Sequence, residues 1–123
     1  MGKKRILVVD DEAELVKAIQ IRLEQAGYET LVAYDGKEGL EKAHKEKLDL
    51  IILDLMLPKM DGYKVCGLLK ADTRYDKIPI IIFTARAQES DIKMGQEVGA
   101  DAYITKPFEY QVLLDKIKEL LKE

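Results

Sequence analysis

Hydrophobic positions along the chain fall into two patterns that alternate. Short runs rich in Ile, Val and Leu occupy residues 5–9, 30–34, 50–53, 79–83 and 102–105. Between them, apolar residues recur at the three-to-four spacing of an amphipathic helix. The first, third and fourth runs are the most continuously apolar, which predicts strands covered on both faces. Residues 12–26 put Leu15, Val16, Ile19, Leu23 and Ala26 on one face, and Gly27 follows as a helix stop. Residues 37–45 follow Asp35, residues 62–70 follow Asp61, and residues 110–121 carry Leu113, Ile117, Leu120 and Leu121 at helical spacing. Both aspartates suit an N-cap or a turn. Residues 90–98 form the weakest helix: Ile92 and Val98 anchor it, and Gly95 lies inside it. A glycine there costs roughly 1 kcal/mol against alanine, so this helix is expected to be the most mobile.

Strand and helix alternate at a spacing of about 25 residues, which predicts an α/β fold with one parallel sheet. Five such units give an open, doubly wound sheet, whose ligands sit beyond the carboxyl ends of the strands. Asp10 and Asp11 follow the first strand, Asp54 the third, Thr84 the fourth, and Lys106 with Pro107 the fifth. The second strand ends in Tyr34-Asp35-Gly36, which reads as a turn and nothing more. Each polar residue has an ordinary explanation: helix caps for Asp10 and Asp11, a turn for Asp54, a strand end for Thr84, a solvated lysine for Lys106. Their joint placement on one sheet edge is what those explanations leave out.

Asp54 poses the sharpest question, because every other residue from 50 to 57 is apolar. An unpaired buried carboxylate costs several kcal/mol, so Asp54 is expected to stand clear of the core at the end of its strand. Three crowded carboxylates repel one another unless a cation joins them. Mg²⁺, or Mn²⁺ in its place, fits an all-oxygen site that uses one or two carboxylates and keeps several waters. A carboxylate beside such an ion and a lysine is a competent nucleophile toward phosphorus.

Length and composition narrow the reading further. At 123 residues the chain fits one domain, residues 1–123. A net charge of −3 with scattered lysines gives no basic stripe, so direct contact with nucleic acid or membrane is not expected. Cys66 is the only cysteine, which excludes an intramolecular disulfide and a cysteine zinc cluster and suits a reducing cytoplasm. The apolar run at residues 6–9 is too short for a signal peptide or a membrane span. His44 is expected at the surface of the second helix, and Cys66 in the core or at its margin.

The stretches "ILVVDDE", "DLIILDLMLPKMDGY", "IPIIIFTA" and "GADAYITKPF", in that order and spacing, resemble the receiver domain of two-component response regulators, including single-domain chemotaxis and sporulation types. The resemblance covers the whole chain. It implies the flavodoxin-like receiver fold, five parallel strands in the order 2-1-3-4-5. It further implies Asp54 as phosphoacceptor, Asp11 as a direct Mg²⁺ ligand, Asp10 as a ligand acting through water, and the backbone carbonyl of Met56 as another. Thr84 would be the switch hydroxyl, Lys106 the contact to the phosphoryl group with a cis bond to Pro107, and Tyr103 the aromatic switch, outward at rest and turned inward after phosphorylation. Met56 and Arg86 lie where the family tunes the lifetime of the phosphorylated state. The implied donor is a histidine kinase or a histidine phosphotransfer protein, and the implied output a protein target bound through the fourth helix, fifth strand and fifth helix. Such a module catalyses only its own phosphorylation and dephosphorylation and is expected as a monomer or a weak, phosphorylation-dependent dimer.

A second reading makes the chain the receiver of a longer, DNA-binding regulator. Val112 departs from the acid that dimerising members of that subfamily commonly carry. A flavin or nucleotide enzyme on the same sheet lacks support, because acids rather than a glycine-rich loop follow the first strand. A phosphatase using Asp54 would show turnover of phosphomonoesters.

Overall fold

Successive residues of a strand point to opposite faces, and the central strands use that alternation to fill two separate cores. In the computed structural model, which describes residues 2–123, the chain runs β1 (Arg5–Val9), α1 (Ala13–Gln25), β2 (Glu29–Ala33), α2 (Gly36–Lys45), β3 (Leu50–Leu53), α3 (Gly62–Lys70), β4 (Ile80–Thr84), α4 (Glu89–Glu97), β5 (Ala102–Thr105) and α5 (Tyr110–Leu121). The strands form one sheet in the order β2-β1-β3-β4-β5, every pair parallel. Ile6, Val8, Leu50, Ile52, Ile81 and Phe83 face one layer with Val16, Ile19 and Leu23 of α1 and Leu113 and Ile117 of α5. Leu7, Val9, Ile51, Leu53 and Ile80 face the other with Ala43 of α2 and Val65, Cys66 and Leu69 of α3. Each large aliphatic side chain buried in this way contributes about 1.5–3 kcal/mol.

The helices and strands expected from the pattern are all present, and two strands are shifted by one residue. β2 starts at Glu29 because its pairing with Arg5 extends the ladder. β4 begins after Pro79, which has no N–H to give, and runs on to Thr84, which pairs with Thr105. Asp35 and Asp61 cap α2 and α3, accepting the backbone N–H of Glu38 at 2.7 Å and of Lys64 at 3.1 Å. The fourth helix carries two fastenings that its sequence does not mark. Asp91 Oδ2 accepts the Gln88 N–H at its start (3.2 Å), and Gly95 sits in a buried contact rather than at a loose point.

Cys66 packs in the core, its Sγ 3.7 Å from the Val98 carbonyl oxygen, and burial pushes its thiol up to about 11. Both inaccessibility and the scarcity of thiolate slow its reaction. In native protein at pH 8, Cys66 is therefore expected to react with an aromatic disulfide reagent only as fast as the chain opens. Reaction at the free-thiol rate without denaturant would contradict this packing. His44 is exposed and lies against the Tyr75 ring, centroids 4.8 Å apart. No helix among the described residues is long and apolar enough to cross a membrane.

Candidate functional site

The parallel ladder does not stop where the strands do. Asp10 N–H donates to the Ala33 carbonyl (3.1 Å) and Asp54 N–H to the Val9 carbonyl (3.0 Å), so the first residue past β1 and the first past β3 are held side by side. Beyond β5, the Lys106 N–H donates to the Thr84 carbonyl (2.8 Å), and the Lys106–Pro107 peptide is cis. Three strand ends thereby converge on one point.

At that point the Lys106 ammonium lies 2.7 Å from Asp10 Oδ2, 3.1 Å from Glu12 Oε1 and 3.2 Å from Asp54 Oδ2. The other oxygen of each aspartate is also bonded: Asp10 Oδ1 accepts the Glu12 N–H (2.8 Å) and Asp54 Oδ1 the Met56 N–H (3.2 Å). Asp10 is completely buried and Asp54 is 4% exposed. The expectation that Asp54 stands clear of the interior is therefore corrected. It is buried, and the lysine ammonium with a backbone N–H offsets the cost that would otherwise exclude it. Burial, opposed by Lys106, still raises the Asp10 carboxyl above its ordinary value, and the neighbouring charge of Asp54 adds to the rise. Burial by itself would lower the Lys106 ammonium; its bonds to Asp10 and Glu12 outweigh that and hold it above the ordinary lysine value.

The carboxylates that meet are not quite those the sequence suggests. Asp10, Glu12 and Asp54 each offer an oxygen within 4.8 Å of the others, whereas Asp11 is exposed at the rim. The reason is local. Asp10 at the end of the strand is buried, Asp11 beside it is exposed, and Glu12, preceding α1 without a capping bond of its own, reaches Lys106. Net negative charge, oxygen donors only and the buried aspartates fit a hard divalent cation.

A matching family model, the response regulator receiver domain, covers residues 6–118. The chain belongs to that family. This receiver is 46% identical over 119 residues to the alkaline phosphatase synthesis transcriptional regulatory protein PhoP of Bacillus subtilis, covering 97% of the chain and 49% of that relative. It is 43% identical over 118 residues to the DNA-binding dual master transcriptional regulator RpaA of Synechocystis, again 49% of the relative's length. The receiver thus spans about half of the curated relatives it matches. Among solved structures, it is similar to a CheY-like receiver from Methanospirillum hungatei (36% identity, TM-score 0.91, 98% of this chain and 95% of that one). A sensor histidine kinase receiver from Pseudomonas aeruginosa, described with magnesium coordinated in its active-site cleft, matches at 27% identity and TM-score 0.90 over 99% of this chain and all of that one.

On the far side of the receiver's cleft, Thr84 is completely buried and its Oγ1 accepts the Arg86 N–H at 3.4 Å. The half-buried Tyr103 donates its hydroxyl to the Arg86 carbonyl at 2.7 Å. The Arg86 guanidinium in turn pairs with the buried Asp91 at 2.6 Å. Met56 exposes 59% of its surface while its backbone borders Asp54.

The turn after β2, which looked featureless, supports the loop that carries Met56. Gly36 N–H donates to the Pro58 carbonyl (3.2 Å), and Asp35 pairs with Lys59 at 3.6 Å. The Glu38 N–H and Lys59 hold the Asp35 carboxyl below its ordinary value. A side chain at Gly36 would put its Cβ 1.7 Å from the Met60 carbonyl oxygen, which only movement of the loop could relieve. Gly36→Ala is expected to lower stability by up to about 3 kcal/mol, as overpacking does, read from thermal unfolding. An unchanged melting temperature would mean that the loop is not braced there. The signal for this support was the pair of turn motifs, "YDG" and "LPKMDG", but nothing in either says that they touch.

Proposed function

We propose that this receiver accepts a phosphoryl group on Asp54 from a phosphohistidine of a histidine kinase or phosphotransfer protein. The observation that carries the reading is the Lys106 ammonium, 3.2 Å from Asp54 and shared with buried Asp10. In the transfer, an Asp54 oxygen forms a bond to phosphorus, the phosphorus–nitrogen bond breaks, and the leaving imidazole takes up a proton. Mg²⁺ would be held by Asp11, Asp54 and the Met56 carbonyl, with Asp10 acting through water, and would supply charge neutralisation for the transferring group. Lys106 adds a second positive charge on the same side. Asp10 bonds the same ammonium at 2.7 Å, and the hydrophobic mount of β3 keeps Asp54 from moving away.

Thr84 and Tyr103 would then carry the change outward. The Thr84 hydroxyl turns toward the new phosphoryl oxygen, the Arg86 segment follows, and the face of α4, β5 and α5 presents a different surface to a protein target. The module would work in the cytoplasm as a monomer or a weak dimer and turn over no metabolite. The decisive experiment is incubation with Mg²⁺ and acetyl phosphate, read by intact mass. A gain of one phosphoryl group supports the reading, and no gain under saturating donor would defeat it.

A second reading has its own support. The named relatives are transcriptional regulators twice as long as this chain, which favours a receiver attached to a DNA-binding output in the whole protein. In that case the partner of the switching face is the output domain or a second receiver, and the size of the native gene product decides.

A further inference from the structure

A glycine in the middle of a helix needs a reason, because alanine would stabilise the helix by roughly 1 kcal/mol. Gly95 of α4 is buried, and a Cβ built on it would lie 3.0 Å from Tyr103 Cδ2 and 3.3 Å from Tyr103 Cε2 and from Ile82 Cδ1. The aromatic ring therefore rests against the bare helix backbone, and from that position its hydroxyl reaches the Arg86 carbonyl at 2.7 Å.

We infer that Gly95 is a positioning residue for the switch: the absent side chain forms the seat that lets the Tyr103 ring lie against α4 and hold the segment after Thr84. The inference rests on the reading of Tyr103 as the aromatic switch. Residues 85–88 are fastened by groups remote from Asp54. Tyr103 holds the Arg86 carbonyl, Asp91 pairs with the Arg86 guanidinium and accepts the Gln88 N–H, and Tyr63 donates to the Asp91 carbonyl at 2.9 Å. Of these, the Tyr103 bond depends on a ring whose position is set by a single missing methyl. A ring pushed at its near edge swings about its Cα–Cβ bond, so the displacement grows toward the hydroxyl, and a bond of this length tolerates little of it. The burial that pushes the Tyr103 phenol up to about 12 agrees with a seated ring.

The test uses the whole chain with labelled tyrosine rings in solution NMR. In the native sequence the Tyr103 ring should show close contact to the Ile82 δ-methyl. In Gly95→Ala that contact should be lost, and the amide signals of Gln88 and its neighbours should move to where Tyr103→Phe puts them. Unchanged contact and unchanged amides would overturn the seat. A stability cycle gives an answer that does not depend on the single variant behaving well. In a Tyr103→Ala background, Gly95→Ala should raise the folding constant about four- to five-fold, as helix propensity alone gives. With Tyr103 present the gain should vanish or reverse, and an equal gain in both backgrounds would again overturn the proposal.

Beryllofluoride with Mg²⁺, a phosphoryl mimic, separates the seat from the reading it rests on. Both proteins should show signal changes in the loop around Met56, but only the native sequence should pass them to the amides of α4, β5 and α5. Equal transmission in Gly95→Ala would remove Gly95 from the switch. If beryllofluoride alters neither protein while the ring still leaves its place in Gly95→Ala, the phosphoacceptor reading falls and the seat stands.

Discussion

Asp54→Asn is expected to abolish the Mg²⁺-dependent gain of one phosphoryl group and, without metal, to raise the melting temperature. The first effect follows from chemistry: an amide oxygen is no nucleophile for phosphorus under these conditions, and neither Asp10 nor Glu12 replaces it, because both are committed to Lys106. The second follows from charge. Asp10, Glu12 and Asp54 surround the Lys106 ammonium, so carboxylates outnumber the cation in a largely buried place. Asparagine keeps the shape and can still accept the Met56 N–H through its carbonyl oxygen, while it removes one repelling charge from beside Asp10. A gain of about 1 kcal/mol, or roughly 2–6 °C, is the expected size for a domain of this length. Mg²⁺ should reverse the ranking, because binding only to the folded state stabilises by an amount set by affinity, and Asp54→Asn has one carboxylate fewer to bind with. Intact mass and thermal melts with and without Mg²⁺ measure both effects. A phosphoryl gain that persisted in the variant would remove Asp54 from its role, and an unchanged or lower metal-free melting temperature would count against the crowding.

Lys106→Met is expected to be the most destabilising substitution in the cleft. The methionine matches the length of the stem but leaves completely buried Asp10 and nearly buried Asp54 without their cation. Removing one member of a buried pair costs about 3–5 kcal/mol, a large part of the roughly 5–15 kcal/mol that holds a domain together. The loss should depend on pH in a definite direction. Burial already raises the Asp10 carboxyl above 3.8, and Lys106 opposes that rise; without the lysine the folded value goes higher still. Between the ordinary value and the raised one the native state binds more protons than the unfolded chain, so stability falls as pH rises through the folded value and returns as pH is lowered toward 3.8. Urea unfolding of both proteins across acidic to neutral pH measures this, with the gap expected to narrow on acidification. Added Mg²⁺ should also narrow it, by supplying the missing positive charge. A gap below about 1 kcal/mol at neutral pH, or one that widens in acid, would show that Lys106 is not what makes the buried carboxylates tolerable.

The alternation of apolar runs and amphipathic segments was enough to give five strands, five helices and a parallel sheet, because burial on two faces leaves a periodic trace in one dimension. Asp10, Asp54, Thr84 and Lys106 could be nominated for the same reason: each directly follows or closes such a run, and a parallel sheet sends all those ends to one edge. Local sequence also marked the caps at Asp35 and Asp61, whose bonds span three residues. What tertiary structure decided was everything that depends on distance between segments far apart in the chain. It left Asp11 exposed and brought in Glu12, buried Asp54 under Lys106, set the turn at Gly36 against the loop carrying Met56, and laid the Tyr103 ring on Gly95. Gly95 shows the divide best. As a sequence position it signals a weak helix, since propensity counts only the helix itself; in the fold it is a contact surface, because the ring it receives comes from the neighbouring strand.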